Sequence, residues 1–129
     1  MGAGQKVQHI TSSAELAALF SSTTYVAVDF YADWCPPCKT IAPVYEGLAA
    51  RHGIEGVLAF AKVNVDHVQD IARTHGVTAM PTFMFFKDGR QVAVNGNSVI
   101  RGADPRTLND CAEKLGGLAK KRAQASSSA

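Results

Sequence analysis

The segment Tyr25-Val26-Ala27-Val28-Asp29-Phe30-Tyr31-Ala32-Asp33-Trp34-Cys35-Pro36-Pro37-Cys38-Lys39 changes its pattern partway along. Tyr25 to Tyr31 is apolar almost without a break and rich in β-branched and aromatic side chains, which is the signature of a central strand covered on both faces. Asp29 is its one charged residue. After Cys35, two prolines suit the first turn of a helix, where a missing N–H costs little. Ile41, Val44, Tyr45, Leu48 and Ala49 then share one helical face towards His52, with Gly53 as the expected stop. Pro43 lies inside this span and is expected to kink it.

Working outward, Val7 to Ile10 reads as a short edge strand, and Ser12-x-x-Glu15 as a capping box opening a helix to about Phe20. Downstream, Val57 to Val65 is a second central strand, and Val68, Ile71 and Ala72 mark a short helix ending near Gly76. Thr82 to Phe86 is a third apolar strand, closed by the tight turn Lys87-Asp88-Gly89-Arg90. Val92–Val94 and Val99–Arg101 flank Asn95-Gly96-Asn97-Ser98, a hairpin-like loop. Asp104 caps a last helix with Pro105 at its first position, and Leu108, Cys111, Ala112 and Leu115 face inward. Alternating strands and helices imply an α/β fold: a mixed sheet of about five strands with four helices divided between its faces. The expected organisation is a flexible start over residues 1–6, one domain over 7–117, and a disordered basic, Ser/Ala-rich tail over 118–129.

Composition narrows the function classes. With 129 residues, 47% of them hydrophobic, the chain can bury a real core. Lys120, Lys121 and Arg122 supply three positive charges, so without them the net charge of +2 becomes −1 and no basic face for nucleic acid is expected. No apolar run reaches the roughly 18 residues of a membrane helix. The N-terminus lacks the apolar stretch of a secretory signal, and Lys6 stands where a myristoylation site wants Ser or Thr. The three cysteines, Cys35, Cys38 and Cys111, are too few for a secreted disulfide scaffold and point to a cytoplasmic chain.

A Cys-x-x-Cys pair at a strand-to-helix junction has a definite chemistry. The free N–H groups and positive macrodipole end of the opening turn favour a thiolate at Cys35, and the thiolate is the nucleophile. Cys38, one turn in, can reach the first sulfur; it is expected to be less exposed and suited to resolving. Zinc needs four ligands, no second cysteine pair exists, and His9, His52, His67 and His75 are scattered, so no metal site is expected. A loop this short gives a structural disulfide little entropy to remove.

The runs Phe30-Tyr31-Ala32-Asp33-Trp34-Cys35, Cys38-Lys39, Ala42-Pro43, Ala61-Lys62-Val63-Asn64-Val65-Asp66, Met80-Pro81-Thr82 and Lys87-Asp88-Gly89 together resemble the thioredoxin family, in its order and near its spacing, over Val7 to Leu115. Fungal and other eukaryotic cytosolic members are the most similar. The resemblance implies protein-disulfide reduction, with Cys35 attacking a client disulfide and Cys38 resolving the mixed disulfide. It further implies that Asp29 exchanges a proton with Cys38, that Lys62 moderates Asp29, and that Pro81 is the cis-proline after Met80. Trp34, Pro36, Pro37, Met80, Gly102 and Ala103 would then form the rim that receives the client. No bound cofactor is implied; NADPH and FAD belong to a thioredoxin reductase partner, clients include peroxiredoxins, and a monomer is expected.

Read without the resemblance, each of these residues has a plainer alternative. Asp29 is either functional or a strand-end acid reaching water. Lys62 is equally an edge residue with its ammonium in solvent, Met80-Pro81 an ordinary trans turn, Trp34 a core side chain, and Cys111 a small buried hydrophobe or a regulatory thiol. Two departures from the family stand out. Pro36-Pro37 replaces its usual Gly-Pro, as in tryparedoxins and nucleoredoxins, and is expected to alter the thiol pKa and reduction potential of the pair. The stretch from Gly89 to Gly102 is longer than a minimal member, which suggests a lengthened hairpin far from the cysteines. A tryparedoxin- or nucleoredoxin-like reductase, or a domain of a larger protein acting mainly in partner binding, are the competing functions.

Overall fold

The computed structural model describes residues 5–128. The first four residues of the expected flexible start, and the last residue of the expected tail, lie outside the described residues. The elements follow in the order β1 (Gln8–Ile10), α1 (Ser13–Ser22), β2 (Tyr25–Tyr31), α2 (Pro36–His52), β3 (Leu58–Asn64), α3 (Gln69–Thr74), β4 (Thr82–Lys87), β5 (Arg90–Val92), β6 (Val99–Arg101) and α4 (Pro105–Ser128). The sheet runs β1-β3-β2-β4-β5, with β6 also on β4. β3 is parallel to both β1 and β2, whereas β4 is antiparallel to β2, β5 and β6. This is a thioredoxin-type α/β architecture, with β2 at the centre.

Alternation along the strands sends side chains to two separate cores. On one face, Ala27, Phe60, Phe83 and Phe85 pack against Ile41, Tyr45 and Leu48 of α2 and Leu108, Ala112 and Leu115 of α4. On the other, Val26, Val28, Phe30, Ala61 and Met84 pack against Leu16 and Leu19 of α1 and Ile71 of α3. The Tyr45 hydroxyl is shared between the Ala27 and Ala61 carbonyls, at 3.0 and 2.8 Å, and ties α2 to both central strands. At Gly116, α4 comes so close to α2 that a Cβ there would stand 2.5 Å from His52 Nδ1, so any larger residue would have to displace the His52 ring.

Three local expectations are corrected. Ser12 caps α1 by accepting from Glu15 N at 3.1 Å, but the Glu15 carboxylate reaches Thr11 N at 2.6 Å instead of the Ser12 backbone. The stretches around Asn95 do not form a hairpin with each other. Val92 pairs with Phe85 and Val99 with Met84, so β5 and β6 are two halves of one edge strand, interrupted by an excursion over 93–98. Positive φ at Asn95 and Gly96 closes that excursion as a two-residue turn bridged from Val94 to Asn97. It folds onto α4, where Asn95 Nδ2 donates to Asp110 O and the buried Cys111 thiol donates to Val94 O.

The third correction is the C-terminus, where α4 runs to Ser128 and does not dissolve near Gly116. Leu118 and Ala119 extend its inner face onto the core, and the residues that follow are helix formers with no proline among them. Ala119 is fully buried, whereas Lys120 to Arg122 and Gln124 to Ser126 are exposed. Ala119→Asp is therefore expected to destabilise the protein by about 3 kcal/mol or more, since an unpaired charge enters the core. Removing residues 125–129 is expected to change stability by less than about 0.5 kcal/mol. Urea unfolding of the two variants checks both.

Candidate active site

Cys35 stands where β2 has ended and α2 begins, as the N-cap residue of the helix in extended conformation. Its neighbours Pro36 and Pro37 occupy the first helical positions and carry no N–H, so the first donor of the turn belongs to Cys38. That N–H donates to Cys35 Sγ at 3.2 Å. The two cysteines are joined in a disulfide, with Cα atoms 5.3 Å apart. They pack with Ala32, and Tyr31, Val65 and Met80 lie against them. The expected difference in exposure is absent: Cys35 is 3% exposed and Cys38 5%. The bond holds both sulfurs under the same surface. What separates them is the side each faces, because only Cys38 lines the cavity that leads to Asp29.

That cavity, of about 140 Å³, is lined by Asp29, Tyr31, Asp33, Cys38, Lys39 and Lys62, among others. The parallel register of β2 and β3 pairs Asp29 directly with Lys62. Asp29 is 2% exposed, and its Oδ1 accepts no hydrogen bond. Burial pushes its carboxyl up to about 7 from the ordinary 3.8, and the Lys62 ammonium acts against that rise. Lys62 is half-buried on an interior strand, not on an edge, and its Nζ stands 4.3 Å from the centroid of the Tyr31 ring.

Of the residues expected to form the rim, Met80 packs against the pair. The Met80–Pro81 peptide is cis, and Pro81 is buried while Met80 is half-buried. Thr82 Oγ1 donates to Ala79 O at 2.6 Å, and Gly102 N donates to Pro81 O at 2.8 Å. Gly102 is thereby brought beside the proline, with Ala103 next in the chain. Trp34 is 64% exposed and so not a core residue; its Nε1 donates to Asp66 Oδ2 at 2.8 Å. Pro36 and Pro37 are exposed next to it. Sequence reasoning missed Tyr31, Asp33 and Asn64 as parts of the site. Tyr31 was within reach, because it lies two residues beyond Asp29 and so on the same face of β2. Asn64 Nδ2, which donates to Asp33 at 3.3 Å, and the Trp34–Asp66 bond join residues about thirty apart and leave no local signal.

Among the described residues no group of three or more His, Cys, Asp or Glu side chains could hold a metal ion, and no helix is long and apolar enough to cross a membrane. The chemistry that a disulfide at the head of a helix supports is exchange with other thiols, and the class this fold and site define is the thiol–disulfide oxidoreductases. The sequence model of the family described as Thioredoxin matches residues 6–110. A Fusarium culmorum thioredoxin-like protein is 73% identical over 116 residues, covering 90% of this chain and 96% of that one. A Neurospora crassa thioredoxin is 56% identical, over 95% of this chain and 96% of that one. Among solved structures, the thioredoxin of Malassezia sympodialis superposes with a TM-score of 0.74 at 33% identity, covering 90% of this chain and 95% of that one. The chain belongs to the thioredoxin family, and it is a protein-disulfide oxidoreductase.

The state of Asp29 has a consequence for stability. Its folded pKa lies above its unfolded one, so between about pH 4 and 7 the folded state holds a proton that the unfolded state has lost. The stabilisation is complete below the lower value and disappears as pH rises through about 7. The displacement of about three pH units corresponds to on the order of 4 kcal/mol. Asp29→Asn is expected to remove this dependence and to be more stable than the parent by about 2–4 kcal/mol at pH 8, with a smaller difference at pH 5. Urea unfolding of the oxidised proteins at the two pH values checks the sign.

Proposed function

We propose that this protein reduces client disulfides through attack by Cys35, and that Cys38 resolves the resulting intermediate. The Cys35 thiolate attacks one sulfur of the client disulfide, forming a mixed disulfide and releasing the first client thiolate. Asp29 takes the proton of Cys38 through the cavity they share. The Cys38 thiolate then attacks Cys35 Sγ, releasing the second client thiolate and closing the Cys35–Cys38 bond. Two electrons pass to the client, and the pair is left oxidised. The observation that carries this reading is the division of surroundings around the pair: Cys35 caps α2 under the Cys38 N–H, while Cys38 faces the cavity of Asp29. Lys62 moderates the acid from the adjacent strand. Trp34, Pro36, Pro37, Met80, Pro81, Gly102 and Ala103 receive an extended segment of the client, in the manner of strand addition beside the cis-proline.

Regeneration needs an outside reductant. A thioredoxin reductase that carries FAD and draws on NADPH fits the family, as do peroxiredoxins among the clients and a cytoplasmic location for a monomer. In an NADPH-coupled insulin-reduction assay, Cys35→Ser and Cys38→Ser are each expected to fall to background. Cys38→Ser should in addition trap a mixed disulfide on Cys35. Turnover surviving in Cys35→Ser removes the assigned nucleophile, and turnover with glutathione but not with the reductase favours the tryparedoxin-like alternative.

Pro36 offers no N–H to Cys35 Sγ, whose donor is Cys38 N, and its fixed φ stiffens the loop. A glycine at this position loosens the reduced loop and makes the disulfide less favourable to close. Pro36→Gly is therefore expected to raise the reduction potential by about 10–20 mV, the equivalent of a backbone effect of about 0.4–1 kcal/mol. Equilibration against glutathione measures the potential, and an unchanged or lowered value would reverse this assignment.

A further inference from the structure

Lys62 has two partners within reach on one face of the sheet. Asp29 and Tyr31 are two residues apart on β2, so their side chains leave the strand on the same side, and the register pairs Asp29 with Lys62. All three line the cavity that Cys38 enters. In the structure the ammonium is at the ring: Nζ stands 4.3 Å from the Tyr31 centroid, well within the distance at which a ring face attracts a cation. Asp29 Oδ1, buried, accepts no hydrogen bond from it or from any other group. The Tyr31 side chain is half-buried, and the Asn64 amide beside it is itself fixed by its bonds to Asp33 and Asp66.

We propose that Tyr31 is a positioning residue whose ring face holds the Lys62 ammonium beside Asp29 and keeps it from closing a direct ion pair with the carboxylate. The inference deepens the reading of Asp29 as the group that takes the Cys38 proton. A direct ion pair lowers a carboxyl pKa by about 1–3, which would leave Asp29 too weak a base for that task. Held on the ring, the ammonium moderates the acid from a distance. The other groups around Asp29 do not duplicate this role. Asp33 is an acid, Lys39 is exposed on the helix, Cys38 is bonded, and the Tyr45 hydroxyl is committed to backbone carbonyls. From β4, Phe83 faces Asp29 and does not titrate.

The test is a ¹³C NMR titration of the Asp29 carboxyl in the oxidised protein, where neither Cys35 nor Cys38 titrates. Tyr31→Leu, which removes the ring face, is expected to lower the Asp29 pKa by about one or more. Tyr31→Phe keeps the face and should titrate as the parent does. Adding Lys62→Met to Tyr31→Leu should abolish the drop. An Asp29 titration unchanged or raised in Tyr31→Leu overturns the proposal, as does an equal drop in Tyr31→Phe or a drop that persists without Lys62. A second measurement needs no ring-free variant: ring-current displacement of the Lys62 Cε protons in the parent protein is expected, and random-coil shifts there overturn the proposal. Whether Asp29 serves Cys38 is judged separately, by turnover of Asp29→Asn in the reductase-coupled assay, so either reading can fail without the other.

Discussion

An ionisable carboxyl placed inside a strand that is covered on both faces is the constraint around which the site is arranged. β2 gives its hydrogen bonds to β3 on one side and β4 on the other, so Asp29 cannot swing out to water without breaking the centre of the sheet. The molecule lives with this cost by keeping a small cavity beside the acid and a cation one strand away. The same strand, six residues later, delivers Cys35 to the head of α2. Sheet and helix are then locked by the Tyr45 hydroxyl, which spans the carbonyls of both central strands. The redox pair and the acid are thereby fixed relative to each other by the short stretch of chain that joins them and by this one buried hydroxyl.

The pair itself is built from what its neighbours lack. Two consecutive prolines strip the opening turn of its first donors, and the N–H that remains is directed at the sulfur of Cys35. A helix start that would otherwise present several donors to solvent presents one to that sulfur. Around this point distant parts of the chain are tied together: Gly102 bonds the carbonyl of Pro81, and Trp34 is tied to Asp66.

Most of the fold was legible because its signals are local. β2 is a continuous apolar run, α2 announces itself by Pro36 and Pro37 followed by Ile41, Tyr45 and Leu48, and Asp104 with Pro105 opens α4. Cys35, Cys38 and Asp29 could be picked out for the same reason, each being an exception to the pattern that surrounds it. What stayed hidden depends on pairing between elements. That Val92 and Val99 both sit on β4, and not on each other, follows from register across the sheet. The partnership of Lys62 with Tyr31 follows from the relative shift of two parallel strands. The last turns of α4 were missed because Lys, Arg, Gln and Ala read equally well as a solvated tail when Leu118 and Ala119 are not seen against the core.

The interrupted edge of the sheet has a use beyond geometry. An uninterrupted border strand offers a row of free amide and carbonyl groups on which another polypeptide can add, and this is a common route to self-association. Here one border is only three residues long, and the other is broken by the excursion that folds back on α4. Neither side is long enough to act as a template for strand-by-strand polymerisation. A protein-disulfide oxidoreductase, which has to meet other chains to act on them, is in this way shielded from joining them.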